Sequence, residues 1–184
     1  MSNVLIMLAP GFEEAEAIIT ADVLKRMGFG VTLAGIDDMD VAGSHQMTVR
    51  ADALLNDLNP ADYRAAILPG GLPGAANLRD SAAVKRAVLD IYANGGIAAA
   101  ICAAPLALAA FGLLDGKTVT GYPGMEKEFG NARYTGRFTE TDGRIITGKG
   151  PAAAFKFGAA IGEALGKSSA AVMAGMLVND EGGE

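Results

Sequence analysis

Short unbroken apolar runs alternate along this chain with longer stretches whose apolar residues return at helical spacing. Val4-Leu5-Ile6-Met7-Leu8 is too short for a helix core and has no polar face, the pattern of a strand buried on both sides of a parallel sheet. From Glu14 to Met27 the recurrence of Ile19, Val23 and Met27 predicts a helix. Glu13, Glu14 and Glu16 lie early in it and Lys25 and Arg26 late, which suits the helix dipole, and Gly28 closes it. Val31-Thr32-Leu33-Ala34-Gly35-Ile36 reads as a second strand; Ala65-Ala66-Ile67-Leu68 and Ile97-Ala98-Ala99-Ala100-Ile101 read as two more. Between those last two, Val84, Ala87, Val88, Ile91 and Tyr92 mark a helix.

This alternation predicts a doubly wound α/β sandwich, a mostly parallel sheet joined by right-handed crossovers and covered by helices on both faces. The segments Asp37 to Asp57 and Phe138 to Thr147, the second with an Asp142-Gly143 turn, are expected to add hairpin strands at a sheet edge. Pro151 opens a final helix through Phe155, Ile161 and Leu165, Gly166 caps it, and a short helix follows from Ser169 to Leu177. The tail Asp180 to Glu184 is expected to fray. With no internal repeat and no linker-like stretch, residues 1–184 are expected to form a single domain.

Composition narrows the function classes. The 184 residues are 51% hydrophobic and 20% charged, which excludes a wholly disordered chain. A net charge of −6 without a Lys/Arg cluster argues against nucleic acid or anionic membrane as a partner. The start of the chain has no basic residue before its apolar run, unlike a signal peptide, and no apolar stretch reaches the ~20 residues that span a bilayer. A single cysteine forms no internal disulfide, and with a single histidine it makes no structural zinc site without unusual help from carboxylates. A free thiol is therefore expected, as a cytoplasmic location permits.

Three segments follow predicted strands and precede helices, where an open parallel sheet collects its ligands. They are Ala9 to Glu16, Pro69-Gly70-Gly71-Leu72-Pro73-Gly74, and Cys102-Ala103-Ala104-Pro105. Cys102 sits at a strand-to-helix corner with small neighbours, an elbow that would present its sulfur above the sheet. The N-terminus of the following helix is expected to lower the thiol pKa and yield a thiolate at neutral pH. Gly70 and Gly71 allow close backbone approach, and with the N–H of Ala103 are expected to form an oxyanion hole. Glu16, on the first turn of helix one, is expected at the same end, protonated through partial burial and able to exchange a proton with substrate. Gly162 to Ser168 and Gly112 to Thr118 end like phosphate loops, but each has three residues between its glycines where four are needed. Gly28, Gly30 and Gly35 lack dinucleotide-binding spacing.

Taken together, these residues resemble the DJ-1/PfpI superfamily, within it the DJ-1/YajL-like branch, from about Asn3 to Leu177. Leu5 to Glu16 looks like the family's first strand and glutamate helix, Leu68-Pro69-Gly70-Gly71 its glycine loop, and Ala99 to Pro105 its cysteine elbow; Gly148-Lys149-Gly150-Pro151 is similar to its closing junction. The resemblance implies a flavodoxin-like three-layer α/β/α sandwich, a homodimer, no metal or organic cofactor, Cys102 as the reactive thiol and Glu16 as its protonated partner. It further implies glyoxalase III or deglycase activity on a small reactive carbonyl such as methylglyoxal or its early adducts, or else oxidative-stress sensing through a Cys102 sulfinate. A different thiol-dependent lyase or hydratase, such as an isonitrile hydratase, is the remaining alternative. One departure stands out: Tyr122-Pro123 occupies the place where many relatives have His-Pro, so the usual cysteine–histidine pair is missing. Tyr122 is left to pack or to donate a hydrogen bond. His45, the lone histidine, is expected in a solvated edge loop or else at a neighbouring subunit's site, and Arg26 either serves the dimer or only balances its helix end.

Overall fold

The computed structural model describes residues 3–178. Strands β1 (Asn3–Leu8), β2 (Gly30–Gly35), β5 (Ala53–Leu54), β6 (Tyr63–Leu68), β7 (Ile97–Ile101), β10 (Thr139–Asp142) and β11 (Ile145–Gly148) make one seven-stranded sheet. Its order is β10-β11-β7-β6-β1-β2-β5. Every neighbouring pair runs parallel except β10–β11. The chain steps from β1 outward to β2 on one side, then returns to β6 and on to β7 and β11 on the other. The switch point therefore lies between β1 and β6, whose carboxyl ends diverge into loops there.

Side-chain alternation along the buried strands divides the core into two layers. Leu5 and Met7 of β1, Ala66 and Leu68 of β6, and Ala98 and Ala100 of β7 face one cluster, completed by helices α2 (Gly74–Asp80), α3 (Ala82–Ala93) and α4 (Pro105–Ala110). Val4, Ile6 and Leu8, with Ile67, Ala99 and Ile101, face the other, completed by α1 (Glu14–Arg26) and α5 (Ala154–Ala164). Strands with no polar face are what a sheet covered on both sides requires. The result is the flavodoxin-like three-layer sandwich. Helix α6 (Ala170–Gly175) follows α5.

One expectation about the edges needs correction. The insert after β2 does not widen the main sheet with a hairpin. Strands β3 (Asp40–Ala42) and β4 (Thr48–Arg50) pair only with each other, and just the two residues of β5 join the edge. The second hairpin adds its strands at the sheet edge as expected, with β11 pairing parallel with β7 and β10 forming the edge strand. A further two-stranded pair, β8 (Thr118–Val119) with β9 (Arg133–Tyr134), had no clear signal in a segment rich in glycine and charge. Pro151 opens a single 3-10 turn, Pro151–Ala153, ahead of α5. The tail Asp180 to Glu184 lies outside the described residues. Among the described residues no helix is long and apolar enough to cross a membrane.

Candidate active site

Three segments meet at the carboxyl ends of β1, β6 and β7. The last of these strands delivers Cys102 in an abrupt turn. Its φ is +63°, in the left-handed region that costs a residue with a Cβ about 1–2 kcal/mol. Neighbouring strands secure the corner: the Cys102 N–H donates to Gly148 O at 2.8 Å, and the Tyr122 N–H donates to Cys102 O at 2.8 Å. The sulfur is thereby turned off the sheet into a cavity of about 180 Å³ lined by Gly71, Leu72, Cys102, Ala103, Tyr122 and Met125. Cys102 itself is only 8% exposed, so a reagent reaches the sulfur from one direction.

Helix α1 places Glu16 beneath the sulfur. Its side chain has no exposed surface, and Oε2 accepts the Gly70 N–H at 2.7 Å. The carboxyl lies beside the Cys102 thiol, while Oε1 has no hydrogen-bond donor among the described residues. Gly70 is wedged between the two reactive groups. A Cβ there would lie 2.6 Å from Cys102 Cβ and 2.7 Å from Glu16 Oε2, so only glycine lets carboxyl and thiol approach. Gly71, at φ +84°, turns its N–H toward the sulfur, as does Ala103.

Burial raises the Glu16 carboxyl to about 7, helped by the charge of Glu13 and opposed by the hydrogen bonds from Gly70 and Cys102. Burial likewise pushes the Cys102 thiol up, to about 12, with the Glu16 charge and hydrogen bond adding to it and the Gly71 and Ala103 N–H groups opposing it. This overturns the expectation that the following helix lowers the thiol pKa. Helix α4 has only six residues, so its dipole is small, and burial of the sulfur, with the Glu16 carboxyl adding to it, outweighs it. The thiol and carboxyl instead behave as one unit holding two protons in acid and one above about pH 7. With one proton in the pair, thiol beside carboxylate and thiolate beside carboxylic acid differ only in where that proton sits.

The structure brings Cys102, Glu16, Gly70, Gly71 and Ala103 together, but it redistributes their tasks. The Gly70 N–H is committed to Glu16, leaving Gly71 and Ala103 to face the sulfur and any oxygen attached next to it. Tyr122 is 51% exposed and borders the cavity, where its backbone holds the elbow. Arg26 lies at the far end of α1, paired with Asp22 at 2.9 Å, away from the thiol. His45 sits in the β3–β4 turn and is not simply solvated. Its Nδ1 lies 3.1 Å from Glu14 Oε2, and its backbone N–H donates to Glu14 Oε1 at 2.8 Å. Glu14, read from the sequence as a dipole charge, is a buried clamp on this turn. Glu13, Glu14 and His45 stand close enough together for a metal ion, yet these contacts already employ both Glu14 oxygens within the protein. The Leu72 and Met125 walls of the cavity were missed in the sequence. Leu72 is flagged only by lying inside the glycine loop, and Met125 by nothing local.

The DJ-1/PfpI family model matches residues 2–164. The chain is 38% identical over 183 residues to the Parkinson disease protein 7 homolog of Danio rerio, covering 96% of this chain and 97% of that protein. It is 33% identical over 165 residues to the glutathione-independent glyoxalase DJR-1.2 of Caenorhabditis elegans, covering 89% of this chain and 88% of that one. The crystal structure of Drosophila melanogaster DJ-1beta matches with a TM-score of 0.92 at 38% identity, covering 97% of this chain and 100% of that chain.

Proposed function

The chain belongs to the DJ-1/PfpI family, and on that premise we propose that it is a glutathione-independent glyoxalase acting on methylglyoxal, or a deglycase acting on its early adducts, through Cys102 and Glu16. The observation that carries this reading is the wholly buried Glu16 carboxyl held against the Cys102 thiol at an open cavity. In the singly protonated pair the sulfur attacks the aldehyde carbon, and the pair's proton ends on Glu16. The new oxygen lies against the Gly71 and Ala103 N–H groups and takes that proton from Glu16, giving the hemithioacetal and leaving Glu16 as the carboxylate. A carboxylate at Glu16 then removes the hydrogen from the former aldehyde carbon and returns it to the neighbouring carbon, converting the adduct to a 2-hydroxyacyl thioester. Water cleaves the C–S bond, releasing lactate and restoring the thiol.

The cycle consumes one water and needs no redox partner. The same proposal includes a cytoplasmic homodimer without a metal or organic cofactor. It is tested by following lactate formation from methylglyoxal with no glutathione present. Wild type is expected to turn over and Cys102→Ala to be inactive; activity retained in that variant rejects the mechanism.

A second reading is favoured by the donors around the sulfur. Gly71, Ala103 and a protonated Glu16 are placed to hydrogen-bond the oxygens of a sulfinate, so the site also suits peroxide sensing. Intact-mass analysis after graded peroxide distinguishes the two. Selective gain of two oxygens at Cys102, lost in Glu16→Ala, supports the sensor, whereas uniform methionine oxidation counts against it.

A further inference from the structure

Tyr122 borders two openings. Besides the Cys102 cavity, it lines a second of about 220 Å³ together with Pro123, Phe138, Pro151 and Ala152, where Lys149 is the one charged lining residue among the described residues. The walls are otherwise apolar, and two are aromatic. Space of about 150 Å³ is enough to hold a benzene ring. The first cavity, about 180 Å³, holds the two reacting carbons and their oxygens against Gly71 and Ala103, and Tyr122 is the lining residue it shares with the second. The Tyr122 ring is half-exposed, so it can turn without disturbing the core.

We propose that the second cavity is the subsite for the non-reacting group of the substrate, so that the protein takes 2-oxoaldehydes R–CO–CHO in which R is an aryl or bulky alkyl group. The aldehyde carbon sits at Cys102 and R lies past Tyr122 among Pro123, Phe138 and Pro151. Apolar walls with few polar groups are what orient an apolar ligand in such a site, and the rings of Tyr122 and Phe138 favour an aromatic one. The proposal rests on the 2-oxoaldehyde reading above, but its test does not need turnover.

The experiment measures alkylation of Cys102 by phenacyl bromide and by bromoacetone, followed by intact mass. In each case an S–C bond forms as bromide leaves, and the thiol proton passes to Glu16 or solvent. The ratio of the two rates is compared with that for free N-acetylcysteine, which removes intrinsic reactivity. The protein's ratio is expected to exceed that of the free thiol by roughly tenfold, the discrimination a well-fitted apolar pocket supplies. Ala152→Phe, which fills the cavity from an exposed position, is expected to bring the ratio down to the free-thiol value, and Ala152→Ser to keep it.

A wild-type ratio equal to that of N-acetylcysteine, or one unmoved by Ala152→Phe, overturns the subsite. Turnover of methylglyoxal and phenylglyoxal is measured in parallel. Selective labelling without turnover of either aldehyde defeats the glyoxalase reading and leaves the subsite standing; turnover with a free-thiol ratio does the reverse. A Cys102 that reacts with neither reagent overturns both.

Discussion

Glu14 accepts the His45 backbone N–H at 2.8 Å on one oxygen and meets the His45 ring at 3.1 Å on the other, which fastens the chain's only histidine to helix α1 two residues before Glu16. Burial works against this charge. The hydrogen bonds from its own N–H, the His45 ring and backbone, and the Met47 N–H nevertheless hold the Glu14 carboxyl down at about 2. Because its folded-state pKa is below the ordinary 4.5, the stabilisation is full above that value and fades as pH falls toward about 2. Glu14→Ala is expected to lose roughly 2 kcal/mol at neutral pH in denaturant unfolding, with the gap to wild type closing in acid. His45→Ala is expected to cost less, since its ring is 65% exposed and its backbone N–H remains. Equal stability of Glu14→Ala and wild type at neutral pH contradicts the clamp.

Glu16 titrates with the opposite sign. Its carboxyl is raised from 4.5 to about 7, so the folded state holds this proton more tightly than the unfolded chain and loses stability as pH rises through that window. Glu16→Gln cannot ionise. Its stability relative to wild type is expected to improve between pH 4.5 and above 7 by up to about 3 kcal/mol, read from melting temperatures or denaturant midpoints across that range.

The same ionisation governs sulfur reactivity. The singly protonated pair accumulates above about pH 7, so the rate of Cys102 alkylation by iodoacetamide is expected to rise through that pH in wild type. In Glu16→Gln the step near 7 should vanish, leaving the thiol to titrate by itself. A wild-type profile flat from pH 6 to 8 would show that the two groups are uncoupled.

Gly70→Ala tests the close approach. The added Cβ would fall within 2.6 Å of Cys102 Cβ and 2.9 Å of Ile101 O, so backbone must move and the carboxyl must leave the thiol. The expected cost is about 1–3 kcal/mol from overpacking, with loss of most methylglyoxal turnover. Full activity at wild-type stability would mean that the wedge between Glu16 and Cys102 has no consequence.

Gly158 matters to the site through the helix that carries Glu16. Helix α5 lies against α1 with Gly158 at the contact, where a Cβ would come 3.0 Å from Val23 Cβ. Gly158→Leu is expected to destabilise by about 1–3 kcal/mol as the helices are forced apart. A melting temperature equal to that of wild type would show that the contact has slack.

Much of this is legible in the amino-acid sequence. The runs at Val4–Leu8 and Ile97–Ile101 had no polar face, and only a sheet covered on both sides accommodates that. Cys102 and Glu16 were marked by standing just past such runs. The insert after β2 was misread because its turn residues signal a hairpin but not its partner. Pairing depends on where Glu14 pulls the turn, and that is a contact across 31 residues. The role of Gly70 was likewise misassigned, since a Gly-Gly pair looks the same whether its N–H serves a substrate oxygen or a carboxyl 54 residues earlier.

By itself the amino-acid order determined the alternation of strand and helix, the depth of each strand, and which residue types stand at the carboxyl ends of the strands, because these follow from local spacing and burial. Only the tertiary structure decided the protonation of the thiol. The helix dipole visible in sequence favours a sulfur anion, but a buried carboxylate and the loss of water at the same atom act more strongly, and both arise from segments brought together by folding.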